Sequence, residues 1–223
     1  MNVKAVLFDL DGTLLDTLED IIDTLNEVLE KHGYPTHSLD KGRFLVGKGM
    51  HELIRNSLPE TADVENVGNT LLTELLEHYS FNWNRKSRPY PGIPAMLDDL
   101  DAKGMKKAIL SNKADRFTQL CVSELLADWH FDEVTGHREG RAHKPDPSGA
   151  LMIAEKLGCA PEEILYVGDS GIDMQTASRA NMYPMGVLWG FRPERELLEC
   201  GARTLVKSPE EISAFLRNQH DRP

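Results

Sequence analysis

The most informative segment of this chain is Val3-Lys4-Ala5-Val6-Leu7-Phe8-Asp9-Leu10-Asp11-Gly12-Thr13. Its first half is a nearly continuous apolar run of strand length, which is typical of a strand buried on both faces. Its second half places two carboxylates, Asp9 and Asp11, directly after that strand. Burying an unpaired charge is costly, and two like charges cost more than one. We therefore predict that these carboxylates belong to a site that receives a cation or an anionic substrate.

The composition is that of an ordinary globular protein. The 223 residues, with a hydrophobic fraction of 40% and a charged fraction of 27%, suffice to bury a core in one or two domains. The net charge of -11 disfavours nucleic acid and anionic membranes as partners, because both need a basic surface. The N-terminal apolar run is short and interrupted by Asp9, so we expect neither a signal peptide nor a membrane span. The three cysteines, Cys121, Cys159 and Cys200, are odd in number and far apart in the sequence. They therefore predict reduced thiols and a cytoplasmic protein.

From Gly92 onward, strand-like and helix-like segments alternate along the chain. Short apolar runs predict strands at 108–110, 133–135, 164–167 and 184–188. Helical patterns separate these runs, and a capping box at Ser208 opens the last helix. This alternation predicts an α/β fold, in which a parallel sheet is covered by helices on both faces.

The chain between residues 16 and 81 departs from this alternation. Apolar residues from Leu18 to Leu29 recur at helical spacing, with Asp16 as the expected N-cap and Gly33 at the end. Further helical patterns follow at 50–58 and 64–79, and we find no strand-like run among them. Because a plain crossover between parallel strands needs only one helix, this stretch predicts a small helical insert.

Chemically functional residues follow the predicted strands. Ligands of such sheets bind outside the carboxyl ends of the strands, where Asp9 and Asp11 lie. Ser111 and Asn112 follow the strand at 108–110, and Lys144 precedes a helix that begins near Pro147. Gly168-Asp169-Ser170-Gly171-Ile172-Asp173 follows the strand at 164–167. These segments could meet at one edge of the sheet.

The combined set suits phosphoryl transfer, in which catalysis is mostly positioning and charge neutralisation. Carboxylates repel a phosphate unless a bound Mg²⁺ reverses the local charge, and Asp9 and Asp169 are the natural side-chain ligands. Lys144 adds a positive charge, and Ser111 and Asn112 can donate hydrogen bonds to phosphate oxygens. One aspartate can attack phosphorus, while a second carboxylate transfers protons.

Each motif also has a simpler explanation. Asp9 to Gly12 could open a calcium loop, but Leu14 and Asp20 stand where that loop needs glycine and glutamate. The segments at Ser111 and at Gly168 could be turns or helix caps, and Asp173 could be a surface acid. Lys144 has charged neighbours that favour an exposed loop. Only the ordered combination favours a single site.

In that order, Asp9 to Thr13, Ser111, Lys144 and Gly168 to Asp173 resemble the four motifs of the haloacid-dehalogenase-like hydrolases. The resemblance implies a Rossmann-like core of residues 1–15 and 86–223, with a mobile helical cap inserted at 16–85. It implies that Asp9 is the nucleophile and Asp11 the general acid/base. It also implies that Mg²⁺ is held by the Asp9 carboxylate, the Asp11 carbonyl and Asp169, supported from behind by Asp173 and Thr13. Ser111 and Lys144, with Asn112 beside them, would hold the phosphoryl group.

Shorter matches resemble the phosphoglycolate phosphatase subgroup. They are Tyr90-Pro91-Gly92, Ser111-Asn112-Lys113, Lys144-Pro145-Asp146-Pro147 and Trp189-Gly190-Phe191-Arg192, with Gly47, Lys48 and Gly49 resembling the recognition loop of the cap. Ser111 stands where the subgroup often has threonine, and Asn181 where glycine is common. The subgroup implies a small phosphorylated metabolite, 2-phosphoglycolate, as substrate.

Other functions remain open on the same residues. A β-phosphoglucomutase-like sugar phosphomutase keeps both aspartates of the first motif, and an inorganic pyrophosphatase is also compatible. The non-enzymatic alternative is an Mg²⁺-binding phospho-receiver module, which would be about half this length and would lack the helical insert. The sequence does not indicate an oligomeric state.

Overall fold

A computed structural model describes residues 2–220 of the chain. The strands are β1 (Ala5–Phe8), β2 (Leu15–Asp16), β3 (Arg88–Pro89), β4 (Lys106–Ala114), β5 (Glu133–His137), β6 (Ile164–Gly168), β7 (Tyr183–Val187) and β8 (Thr204–Val206). The α-helices are α1 (Leu18–Lys31), α2 (Leu39–Gly42), α3 (Met50–Ser57), α4 (Val64–Asn82), α5 (Ile93–Ala102), α6 (Asp115–Leu125), α7 (Ser148–Leu157), α8 (Gly171–Arg179), α9 (Glu194–Glu199) and α10 (Pro209–His220).

Six strands form one parallel sheet in the order β5-β4-β1-β6-β7-β8. The first strand of the chain is central, and Phe8 at its end pairs with Ile109 of β4 and Val167 of β6. Because these strands run in the same direction, the residues that follow them emerge at the same edge of the sheet. The predicted α/β class is confirmed.

The sheet is buried on both faces. In β1, Val6 and Phe8 pack into one hydrophobic cluster, and Ala5 and Leu7 pack into another on the opposite side. Successive side chains of a strand point to opposite faces, so a strand covered on both sides needs an unbroken apolar run. This requirement explains why the N-terminal segment shows no polar alternation.

Helices α1 to α4, hereafter the helical insert, occupy the chain between β2 and β3. These two short strands pair antiparallel, with Leu15 opposite Pro89 and Asp16 opposite Arg88. The segments that enter and leave the insert therefore run side by side. The division into a core of 1–15 and 86–223 and a cap of 16–85 stays a prediction. Among residues 2–220, no helix has both the length and the apolar character needed to cross a bilayer.

The expected N-cap of α1 is wrong. Asp16 lies in β2, and the helix begins at Leu18 after Thr17, whose side chain makes no capping hydrogen bond. The Thr17 hydroxyl instead donates to Asp11 Oδ1 at 2.8 Å. The prediction also omitted the pair β2 and β3, the edge strand β8 and the short helices α2 and α9. Elements of this length carry too few residues for periodicity to identify them.

Because Leu7 is fully buried in β1, we expect Leu7→Ala to lower the free energy of unfolding by about 2–5 kcal/mol. The loss combines the missing transfer free energy with an unfilled cavity. Urea denaturation followed by circular dichroism would measure it. Leu198→Ala is the control, because Leu198 is half exposed and its truncation should change stability by less than about 0.5 kcal/mol. Equal effects of the two substitutions would contradict the placement of β1 at the centre of the core.

Candidate active site

Three buried carboxylates converge at the carboxyl edge of the sheet. Asp9 follows β1, Asp169 follows β6, and Asp173 lies in the first turn of α8. Each offers one oxygen atom that lies within 4.8 Å of those of the other two. The structure therefore brings together the first and fourth motifs, as the sequence predicts.

Burial and the charge of neighbouring carboxylates disfavour the ionised forms of Asp9 and Asp169. The pKa of Asp9 is raised well above its ordinary value, first by burial and then by the charge of Asp173. The pKa of Asp169 is raised to about 7 by burial and again by Asp173. In the absence of another cation, this cluster favours the uptake of protons near neutral pH.

Lys144 lies between two of the carboxylates. Its Nζ is 2.8 Å from Asp9 Oδ1 and 2.7 Å from Asp173 Oδ1. Burial alone would lower the pKa of this ammonium group, but the charges of Asp173 and Asp9 outweigh burial and hold the pKa well above its usual range. The exposed loop suggested by its charged neighbours is wrong for Lys144, because only 4% of its side chain is exposed.

Asp173 is fully engaged by protein donors. Its Oδ2 accepts hydrogen bonds from Ser170 N at 3.1 Å and Ser170 Oγ at 2.5 Å, which forms a capping box on α8. Its Oδ1 accepts from Lys144. Asp173 therefore serves as a helix-capping partner and counter-ion, and the alternative of a surface acid is wrong. This arrangement suits a residue that supports a metal site from behind.

The Asp169 side chain fits only because glycine stands at positions 12 and 190. Phe191 N donates to Asp169 Oδ2 at 2.7 Å. A Cβ atom added at Gly12 would lie 2.4 Å from the same oxygen, and one added at Gly190 would lie 2.2 Å from the Asp169 Cβ. Gly12 also has a φ of 85°, which disfavours other residues there.

The residues present fit a hard divalent cation. Lys144 occupies one oxygen of Asp9, and Phe191 N occupies one oxygen of Asp169. Within residues 2–220, the second oxygen of each carboxylate receives no hydrogen bond from the protein. Two free carboxylate oxygens are the ligands that Mg²⁺ prefers.

Asp11 lines the same cavity and is held from two sides. Thr17 Oγ1 donates to its Oδ1, and Lys113 Nζ lies 3.0 Å from Oδ1 and 3.2 Å from Oδ2. Lys113 follows Asn112 in β4, so Asp11 and the phosphate-binding candidates of β4 face one cavity.

Ser111 and Asn112 both line the cavity, but their side chains differ in how many hydrogen bonds they make. Ser111 Oγ accepts one hydrogen bond, from Lys113 N at 3.2 Å. The Asn112 amide bonds the backbone of Lys144 at both ends and also donates to Gly47 O at 2.9 Å. Asn112 thus ties the loop of Lys144 to the helical insert, a role that its sequence context does not suggest. Its direct contact with phosphate stays a prediction.

The helical insert forms one side of the cavity. Gly47 and Gly49 line it, whereas the Lys48 side chain is exposed and does not. The apolar residues that line the cavity are Ile21, Val46, Met50 and Leu53 of the insert and Phe191 of the core. Thr13 is buried, and its hydroxyl finds no partner within the described part of the chain.

Two arginines, neither of them predicted to be a site residue, join the insert to the core reciprocally. Arg43 donates from Nε to Phe191 O and from Nη2 to Gly190 O, both at 2.6 Å. Arg192 donates to the carbonyl oxygens of Arg43, Phe44 and Val46. No local pattern around either arginine identifies its partners, because about 150 residues separate each arginine from the carbonyl groups that it contacts.

The chain is similar to known proteins over nearly its whole length. Residues 6–187 match the model of the haloacid dehalogenase-like hydrolases. A phosphoglycolate phosphatase of Nitrosospira multiformis is 33% identical, covering 97% of each chain. An N-acetylmuramic acid 6-phosphate phosphatase of Pseudomonas aeruginosa is 30% identical, covering 95% of this chain and 94% of that protein.

A solved structure shares the same fold. It is assigned as a phosphoglycolate phosphatase from Lactobacillus delbrueckii subsp. bulgaricus, with 29% identity and a TM-score of 0.90, covering 97% of this chain and 99% of that one. The family match spans far more than half of the sequence and includes the three acids of the site. The protein therefore belongs to the haloacid dehalogenase-like hydrolase family.

Proposed function

We propose that this protein is an Mg²⁺-dependent phosphatase that hydrolyses a small phosphomonoester through an aspartyl-phosphate on Asp9. The observation that carries the proposal is the buried cluster of Asp9, Asp169 and Asp173 around Lys144. Such a cluster combines a cation-binding pair of carboxylates with a fixed positive charge. That combination suits a doubly charged phosphate, which carboxylates alone would repel.

In this proposal, Asp9 and Asp169 hold Mg²⁺ with their free oxygens, together with the backbone carbonyl of Asp11. Asp173 and Thr13 support the site from behind. The bound ion would neutralise charge on the phosphoryl oxygens. Ser111, Asn112 and Lys144 would hold the remaining phosphoryl oxygens, with Lys144 already fixed beside the Asp9 carboxylate at 2.8 Å.

The reaction then has two chemical steps. An oxygen of Asp9 bonds to phosphorus while the ester P–O bond breaks, and Asp11 donates a proton to the departing oxygen. Water next attacks phosphorus, Asp11 takes its proton, and the Asp9–phosphorus bond breaks to release inorganic phosphate. The helical insert would exclude other water during the first step, with Gly47 and Gly49 presented to the leaving group. Lys48, predicted to share this role, has an exposed side chain that does not line the cavity.

The preferred substrate in this proposal is 2-phosphoglycolate. The subgroup-like motifs and the names of the relatives support it. A second candidate class is sugar phosphates, because one full-length relative is named for N-acetylmuramic acid 6-phosphate. A phosphomutase and a pyrophosphatase remain the alternative activities on the same residues.

A substrate panel distinguishes these activities. We expect inorganic phosphate release with Mg²⁺ from 2-phosphoglycolate at a kcat/KM at least about tenfold above that for N-acetylmuramic acid 6-phosphate, glucose 6-phosphate and pyrophosphate. Omitting Mg²⁺ should abolish release. β-Glucose 1-phosphate is included with detection of glucose 6-phosphate, since isomerisation without phosphate release would favour a mutase instead. Phosphorylation without turnover would favour the receiver alternative.

The nucleophile assignment predicts that Asp9→Asn lowers kcat by at least about 10³-fold while the fold remains intact. An amide oxygen is a poor nucleophile, but it preserves the shape of the carboxylate. Borohydride reduction of the wild-type enzyme during turnover should convert Asp9 to homoserine, detected by peptide mass spectrometry. Asp40→Asn, in the exposed part of α2, is the matched control and should be unaffected. Near-wild-type activity of Asp9→Asn, or a reduced residue elsewhere, would contradict the assignment.

The raised pKa values predict a pH-dependent response to Mg²⁺. Because the pKa of Asp169 rises from 3.8 to about 7 on folding, the native state binds more protons than the unfolded chain between these values. The metal-free protein should therefore lose stability as pH rises through this window, and Asp9 acts in the same direction. Below about pH 7, protons compete with Mg²⁺ for the Asp169 carboxylate.

At about pH 8, Mg²⁺ at about one hundred times its Kd should add about 2.7 kcal/mol of stability. At about pH 5.5 the gain should be less than half as large, because the ligands are protonated. Thermal unfolding with and without MgCl₂ measures both gains. Asp169→Asn should remove the response at both pH values. A gain that is equal at the two pH values would show that these carboxylates do not bind the ion.

A further inference from the structure

We propose that Lys113 is a positioning residue that orients the Asp11 carboxyl group, which in its protonated form donates a proton to the leaving group, and that Tyr79 of the helical insert holds Lys113. The inference rests on the proposed function, since it assigns Asp11 as the general acid. It adds two residues outside the four motifs, one from the end of β4 and one from α4.

Lys113 contacts both oxygens of Asp11 from a buried position. Only 1% of its side chain is exposed, and its Nζ lies 3.0 Å from Oδ1 and 3.2 Å from Oδ2. Thr17 Oγ1 donates to Oδ1 from the other side at 2.8 Å. Donors on both oxygens restrict rotation of the carboxylate about its Cβ–Cγ bond. A general acid needs such restriction, because it must lie within hydrogen-bond reach of the departing oxygen.

Tyr79 fixes the ammonium group of Lys113 in turn. Its hydroxyl lies 2.8 Å from Lys113 Nζ, and its ring centroid lies 4.9 Å from the same atom. The ring is fully buried and packs edge-on against Phe117 of α6, with centroids 5.0 Å apart. Lys113 thus has a hydrogen-bond partner and an aromatic ring besides Asp11, and its position does not depend on Asp11 alone.

Stability alone does not explain this arrangement. A buried ion pair contributes little net stability, because the loss of solvation offsets the attraction between its charges. An apolar side chain at position 113 could fill the same space without that loss. The ion pair does, however, fix a carboxylate that lines the reaction cavity. We therefore assign it a role in orienting Asp11.

The test compares two esters that differ in their need for a general acid. The oxygen that leaves an alkyl phosphate such as 2-phosphoglycolate must be protonated, whereas 4-nitrophenolate departs without a proton. The parameter kcat/KM covers only the steps up to the first irreversible one, so it reports transfer to Asp9 and not the later hydrolysis. We expect Lys113→Met to lower kcat/KM for the alkyl ester by about 100-fold, and for 4-nitrophenyl phosphate by less than about fivefold.

Lys107→Met is the matched control. Lys107 is also a buried lysine of β4 and is paired with Asp101, but it lies at the other end of the strand. This substitution should leave unchanged the ratio of kcat/KM for the alkyl ester to kcat/KM for 4-nitrophenyl phosphate. Tyr79→Phe keeps the ring and removes only the hydroxyl, and we expect it to lower the ratio by about three- to tenfold. If circular dichroism shows that Lys113→Met does not fold, Tyr79→Phe tests the inference in its place.

The possible outcomes separate the inference from the proposed function. If the wild-type enzyme releases phosphate from neither ester, the proposed function fails. If it hydrolyses both, and Lys113→Met and Tyr79→Phe leave the ratio of kcat/KM values unchanged, only the positioning role is overturned. An equal loss for the two esters would assign Lys113 to structure or phosphate binding and would also overturn it. A selective loss for the alkyl ester, shared by Asp11→Asn and absent in Lys107→Met, supports it.

Discussion

The structure depends on the burial of three carboxylates whose oxygen atoms lie within 4.8 Å of one another. Such a cluster is unfavourable in a protein interior unless positive charge and hydrogen-bond donors surround it. Lys144 provides the positive charge at distances of 2.7 and 2.8 Å. Ser170 and Phe191 provide backbone donors. The remaining carboxylate oxygens are left for a cation, so the unfavourable cluster and the proposed metal site are the same feature.

The parallel sheet makes this cluster possible. Because β1 lies between β4 and β6, the residues that follow these strands are neighbours despite their separation in sequence. The capping box on α8 fixes Asp173, and α8 begins immediately after the Asp169 turn. Glycine at positions 12 and 190 leaves the space that the Asp169 side chain fills. Each of these features fixes the position or the orientation of an aspartate side chain.

The helical insert completes the cavity from the other side. Arg43 of the insert bonds carbonyl groups of the core, and Arg192 of the core bonds carbonyl groups of the insert. These contacts bring Gly47 and Gly49 to the wall of the cavity, which apolar side chains of the insert also line. An apolar lining limits access of water, which strengthens the electrostatic interactions inside the cavity. Through Tyr79, the insert also reaches the ion pair of Lys113 and Asp11.

Local sequence patterns were enough to predict the α/β class, a buried first strand and the candidate acids at the strand ends. Those features depend on local patterns: an unbroken apolar run, alternation with helices and polar residues placed just after strands. Which side chains share a hydrogen bond depends on the three-dimensional arrangement and could not be predicted in this way. The roles of Thr17, Lys113 and the two arginines depend on contacts between residues far apart in the chain, which no local pattern specifies. The same reason explains the error at Asp16, because Thr17 bonds Asp11 and not the start of its own helix.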